Sequence, residues 1–437
     1  MSHFDKTLLP KKIHLSGSDC FHLVLDKHAK NHQSGDNVMR IVFYFTDQLP
    51  AQKIKAIFDQ SPVIYWLCNI RFISGSLLKI PCWKYEDAGR NIVITEHTHT
   101  VDDQIPDSIL NRDITIDAQR FIECDIITYP SGKSVMVISW NHILLDGRGI
   151  SMLVSHLNDS DKTHGNQIAK FFPAKEKKNS IVGYIRNMYK VKRFIQQSSK
   201  KPIASVACKE IKSENQFKNK IIFFTKEETA LIAANAFTNG ARFGSNLYYL
   251  SCCAHVVNNF NRQNKKAGVI WLPIPYDGRL KGSFGPIISN FVAYLFYRLP
   301  QSDLTSVKQT VNSFNKQMAA QLKARMPQQY NMLLNMMRHI PLDLYYFLIN
   351  RTGEGTFASF LYSSTGDNFN KITHMFEEPL DKLTIFPSST FPPGLTFSFL
   401  KHADALNINI AYSPDIISNI TLDKIEEEIK NLLLANY

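Results

Sequence analysis

Apolar residues fall into two rhythms along this chain. Val38–Phe45 and Val135–Trp140 are apolar at almost every position, rich in β-branched and aromatic residues, as buried strands are. Elsewhere apolar positions recur every three or four residues. After Pro50, Ala51–Asp59 places Ile54, Ile57 and Phe58 on one helical face. From Gly149 onward, Ile150, Leu153, Val154 and Leu157 do the same. Residues 135–157 therefore read as strand, tight turn, helix.

The alternation continues downstream. Lys226–Ala236, Ser245–Phe260 and Leu304–Ala324 have helical spacing, while Val269–Pro275, Asn290–Leu299 and Phe357–Ser363 read as strands. Phe397 and Phe399, then Leu406, Ile408 and Ile410, alternate with polar neighbours, which predicts a hairpin across His402–Ala405. Thr421–Leu434 closes as a helix, with Thr421 as expected N-cap and Lys424–Glu428 as an i,i+4 pair. Strands separated by helices throughout indicate an α/β protein. No internal repeat or low-complexity tract interrupts the pattern.

Composition narrows the class. The chain has 437 residues, 44% of them hydrophobic and 20% charged, which suits two to four ordinary domains or two large halves. The seven cysteines, Cys20, Cys68, Cys82, Cys124, Cys208, Cys252 and Cys253, include no C-x-x-C spacing. That argues against a zinc ribbon or disulfide framework and favours a reduced, cytoplasmic compartment with no metal. The N-terminal lysines precede no apolar run, so no secretory signal is expected. No stretch reaches the roughly 18 apolar residues of a membrane span.

Charge is unevenly spread. Twelve Lys and Arg residues stand against Glu176 and Glu210 between Lys170 and Lys212, so this segment holds most of the formal net charge of +12. A basic segment in a nearly neutral protein does not indicate a nucleic-acid partner. Pro173 and Pro202 flank the segment and mark a linker. Ile181, Tyr184, Ile185, Met188, Val191 and Ile195 form an apolar helical stripe inside it. The stripe fits a crossover helix packed on its own protein. It also fits peripheral contact of 175–201 with an anionic inner membrane face, or an acidic partner such as a carrier protein or coenzyme A phosphates.

The candidate chemistry lies at Trp140–Gly149, WNHILLDGRG. H-x-x-x-D also occurs at His22/Asp26, His32/Asp36, His99/Asp103 and His339/Asp343, but His142/Asp146 alone is followed by glycine, at Gly147. It alone sits between an apolar strand and a helix. The other histidines are expected to be surface or loop residues. A histidine at a strand end, with an ordinary pKa near 6.5, suits proton abstraction from an attacking hydroxyl or amine. Asp146 would fix the local backbone. Gly147 and Gly149 would permit a turn that side chains would strain.

At these residues the sequence resembles the superfamily built on the chloramphenicol acetyltransferase fold. Its members include alcohol acyltransferases, wax ester synthases and the condensation domains of peptide synthetases. Asn141 stands where many members carry a second histidine. PIPYDGRLKGSFGPIISNFVAYLFYRL, Pro273–Leu299, resembles a second family region, with Arg279 at its arginine and Gly285 and Asn290 as looser matches. Phe360–Gly366, FLYSSTG, resembles a third, and LSGSDCF, Leu15–Phe21, resembles the family's opening segment.

The resemblance implies two chloramphenicol acetyltransferase-like halves, each a mixed sheet with flanking helices, and an active-site tunnel between them. Residues 1–170 would form the N-terminal half, 171–213 a basic crossover linker, and 214–437 the C-terminal half. Arg279 would pair with Asp146 across the halves, and Ser363, Ser364 or Thr365 would donate to an oxyanion. The implied reaction moves an acyl group from coenzyme A or a carrier protein to a hydroxyl or amine, with His142 as general base. The acyl thioester is then a co-substrate, and no cofactor is needed. Two alternatives stay open: a free-standing condensation-type domain, or a non-catalytic protein that binds through the tunnel.

Overall fold

The computed structural model describes residues 4–32, 35–77, 79–117, 120–159, 165–174, 189, 191, 203–206, 216–263, 268–279, 282–353 and 358–435. Its first part runs β1 (Lys12–His14), α1 (Gly17–Asn31), β2 (Val38–Phe45), α2 (Ala51–Gln60), α3 (Pro62–Cys68), β3 (Ile70–Ile73), β4 (Cys82–Tyr85), β5 (Ile94–Thr98), α4 (Asp107–Leu110), β6 (Ile122–Thr128), β7 (Ser134–Asn141) and α5 (Gly147–Asn158). The second part begins with β8 (Lys218–Phe223), α6 (Lys226–Thr238), α7 (Asn246–Gln263), β9 (Ile270–Asp277), β10 (Val292–Leu299) and α8 (Val307–Lys323). It ends with α9 (Met326–Met337), α10 (Leu342–Gly353), β11 (Leu361–Ser364), β12 (His374–Met375), β13 (Glu378–Phe386), β14 (Leu395–His402), β15 (Ala405–Tyr412) and α11 (Asn419–Leu434).

Strands β2 and β7 are buried at every position because both faces of their sheet are covered. They pair antiparallel, Val38 opposite Asn141 and Phe45 opposite Ser134. Ile41, Phe43, Met136 and Ile138 join the main N-terminal core, while Val42, Tyr44, Val135 and Val137 form a smaller cluster on the other face. The six-stranded sheet has the order β12-β13-β2-β7-β6-β5. Thus β12 and β13, which fall inside the expected 214–437 half, complete the N-terminal sheet. Ile287, Ile288, Tyr345, Phe369 and Leu400 also join the N-terminal core. The halves interlock more than a division at residue 213 implies.

The second sheet has the order β11-β14-β15-β8, and β9 pairs with β10 in a separate ribbon. The expected hairpin is formed, with Ala403 and Asp404 at positive φ in its two-residue turn. The faces of this hairpin differ. Phe397, Phe399, Leu406, Ile408 and Ile410 bury into the C-terminal core. The opposite face carries Ser398, Asn407 and Asn409, also buried. Asn407 donates to the Leu383 carbonyl at 2.9 Å, and Asn409 to the Ile385 carbonyl at 3.1 Å. These amides satisfy β13 carbonyls where the C-terminal sheet meets the N-terminal one.

Several local expectations need correction. Helix α11 is capped by Ser418, whose side chain accepts from the Thr421 amide, so Thr421 lies inside the helix. Glu428 accepts from Asn259 on α7, while Lys430 pairs with Glu426 at 2.7 Å. The apolar stripe of the basic segment lies mostly outside the described residues. Of it, Val191 is buried in a cluster with Trp271, Tyr294, Phe296, Met326, Tyr330 and Leu334; beside it Tyr189 is 66% exposed. Among the described residues, no helix is long and apolar enough to cross a membrane.

Candidate active site

His142 leaves the end of β7 and is half-buried. Its amide donates to the Asn37 carbonyl at 2.8 Å. Its ring Nδ1 lies 3.0 Å from the Leu145 carbonyl oxygen. A carbonyl can only accept, so Nδ1 carries the proton and Nε2 keeps its lone pair. That is the tautomer a general base requires. Burial pushes the ring pKa below the usual histidine value, against the opposing pull of nearby carbonyls and Asp146. The ring therefore stays neutral near pH 7.

Asp146 is the N-cap of α5, with Oδ1 accepting from the Gly149 amide at 2.7 Å. Its Oδ2 accepts from Arg279 Nη1 at 2.8 Å and from the Phe291 amide at 2.9 Å. The side chains of Arg279 and Asp146 are 2% and 3% exposed, so the pair is buried. Arg279 also donates to the Pro286 and Ser289 carbonyls, and its guanidinium sits 4.7 Å from the Phe291 ring centroid. Sequence placed these two residues 133 positions apart on the same site, and the fold brings them together.

The two glycines differ. A Cβ at Gly149 would come within 2.5 Å of the Ile287 carbonyl oxygen, so that position excludes side chains. A Cβ at Gly147 would meet nothing within 4 Å, and its φ is not positive. Gly147 is thus not demanded by the turn, contrary to expectation; it is the first residue of α5 with space around it. Asn141 closes the turn by donating to the Ile114 carbonyl at 2.7 Å and accepting from the Ile143 amide at 3.0 Å.

The three oxyanion candidates separate by strand alternation. Ser364 donates to Asn246 Oδ1 at 2.8 Å and faces α7. Thr365 is buried, 3.4 Å from the Phe399 carbonyl oxygen. Ser363, opposite Ser398 in the register, points to the face that meets the N-terminal half. Just beyond, Asn368 accepts from Arg148 of α5.

Several contacts at this site were not expected from sequence. Asp19 accepts from Ser289 Oγ at 2.6 Å, the Asn290 amide at 2.7 Å and Asn290 Nδ2 at 2.9 Å. Burial raises its pKa, and these donors act against that rise. Asn290 also donates to the His142 and Ile143 carbonyls at 2.9 and 3.0 Å. The sequence signal was the capping box, Ser16 to Asp19, which opens α1. His22, expected at the surface, is instead buried against His142, and His28 is buried too. Helix α1 turns polar residues inward onto the turn that carries His142.

The tunnel was expected to run past His142. One cavity, about 200 Å³, does lie between the halves, bounded by Arg40, Asn111, Phe217 and Ala411. Another, about 500 Å³, lies by Lys226, Tyr249, Ser364 and Lys401. His142 lines neither. Among the described residues, no cluster of three His, Cys, Asp or Glu side chains could hold a metal ion.

No protein-family model matches the chain, and no curated protein sequence does. Solved structures do. The first condensation domain of the calcium-dependent antibiotic synthetase is similar at TM-score 0.67 and 11% identity, over 97% of this chain and 95% of that one. The trichothecene 15-O-acetyltransferase of Fusarium sporotrichioides is similar at TM-score 0.65 and 12% identity, over 97% and 95%. Polyketide synthase associated protein 5 of Mycobacterium tuberculosis is similar at TM-score 0.62 and 13% identity, over 98% and 100%. Agreement along nearly the full length of each neighbour shows that this chain has the fold of these condensation-domain and acetyltransferase structures.

Proposed function

We propose that the chain transfers an acyl group from a thioester to a hydroxyl or amine, with His142 as general base. The observation that carries this reading is the Nδ1 hydrogen bond to the Leu145 carbonyl, which leaves Nε2 unprotonated at a half-buried position. Nε2 takes the acceptor proton as the acceptor oxygen or nitrogen bonds to the thioester carbon. The carbon–sulfur bond then breaks, and the departing thiolate takes the proton back from His142. Ser363, on the strand face turned toward the N-terminal half, is the favoured donor to the transient oxyanion. Asp146 and Arg279 hold the turn and do no chemistry.

Neighbours that include condensation domains and an O-acetyltransferase support acyl transfer as the reaction class. Coenzyme A and a carrier-protein arm present the same thioester, so either would serve as donor. The test is thiol release and product mass from mixed acyl-coenzyme A thioesters with a host metabolite extract. His142→Ala should lose roughly 10²–10⁴-fold in rate with an unchanged melting temperature. Full activity in that variant would refute the assignment.

A further inference from the structure

The ring of His22 lies against the ring of His142, centroids 4.1 Å apart and planes tilted by 35°. His22 comes from the second turn of α1 and is 5% exposed. Its Nδ1 is buried without a hydrogen-bond partner. A leucine there would fill the core without stranding a polar atom, so an imidazole at this position is a cost to folding. The backbones of the two histidines are tied as well. Asn37 Nδ2 donates to the His22 carbonyl at 3.3 Å, and the Asn37 carbonyl accepts from the His142 amide at 2.8 Å. On its other side α1 is anchored by Phe21, edge-on to Tyr294 at 5.6 Å.

We propose that His22 is a positioning residue for His142, its ring clamping one face of the base so that Nδ1 stays on the Leu145 carbonyl and Nε2 stays turned toward the acceptor. This rests on His142 being the base. With one face covered, the His142 ring cannot swing off its carbonyl without displacing His22. Burial first, and then the proximity of His142, hold His22 far below the ordinary histidine pKa, so it stays neutral. When His142 accepts a proton, it becomes a cation against a neutral aromatic face. The titratable and charged groups around the pair are Asp146 with Arg279 on the α5 side, Asp19 in the first turn of α1, and Asp26 with Lys30 further along it.

The test is histidine ¹⁵N NMR of the full chain across pH, with H142A to assign the signals. Wild type should show His142 as one neutral tautomer, protonated at Nδ1, titrating below the ordinary value. H22A should show averaged tautomers, and its His142 midpoint should rise toward about 6.5 as water enters. H22F, which restores a flat face, should behave as wild type. If H22A does not fold, H22L fills the volume without a flat face and should show averaged tautomers as well. In the acyl-transfer assay, H22A should lose roughly 10–100-fold in kcat with KM unchanged. An unchanged His142 tautomer and midpoint in H22A, or in H22L, overturns the clamp. The NMR readout needs no turnover, so failure of the clamp and failure of the acyltransferase reading are separate results.

Discussion

Two segments share the H-x-x-x-D spacing and end in contact, His22/Asp26 on α1 and His142/Asp146 on the turn after β7. Inside a helix, four residues make about one turn, so His22 and Asp26 stack along one face. Asp26 is then taken up by Lys30, 2.7 Å away and one turn on. Across the strand–helix turn the same spacing makes Asp146 an N-cap. One carboxylate oxygen holds the helix start, and the other is free to reach Arg279. The histidines differ likewise. His142 has its Nδ1 fixed and its other nitrogen free, whereas His22 is enclosed. Spacing alone therefore says little, and the backbone under it decides the role.

That contrast can be broken by substitution. Asp146→Asn should cost about 3 kcal/mol in urea unfolding, since the buried Arg279 would keep only the half-exposed Asp277, 3.3 Å away, as counter-charge. A loss below about 1 kcal/mol would mean the pair is not the inter-half tie described above.

The enclosed histidines make a pH prediction. Burial lowers the folded-state pKa of His22, and that of His28 to about 3, against an ordinary 6.5. A depressed histidine contributes stability that is fully present above 6.5 and lost as pH falls toward its folded value. His22→Phe should therefore gain stability relative to wild type as pH drops below 6.5. Melting temperatures measured from pH 7 to pH 4 check this, and parallel curves would show that His22 takes up its proton equally in the folded and unfolded chain.

Asp26→Asn is expected to have the smallest effect. Its lysine partner is nearly half-exposed, and such pairs contribute no more than about 1 kcal/mol. A loss as large as that of Asp146→Asn would erase the distinction between the two segments.

Some of this architecture could be read directly. β2, β7 and the hairpin β14–β15 announce themselves because their buried faces are uninterrupted. The pair Asp146–Arg279 was legible through a family resemblance at two short motifs. Helix α1 was not, because Ser18, Asp19, His22, Asp26 and His28 lie on its buried face and break the apolar stripe. β13 was missed because its burial changes along its length: its first part alternates, and its last four positions are fully buried. Its attachment to β2, Leu380 opposite Phe45, joins residues more than 300 positions apart.

The sequence by itself determined where chain segments bury apolar side chains and which strand–turn–helix carries a histidine suited to proton transfer. Periodicity and short motifs are local, and they survive without any partner. Only tertiary structure decided that β13 crosses to the other half, that Asp19 and Asn290 hold the turn after β7, and that His22 covers His142. Those contacts join polar groups far apart in the chain. Their worth comes from mutual burial, which no single segment records.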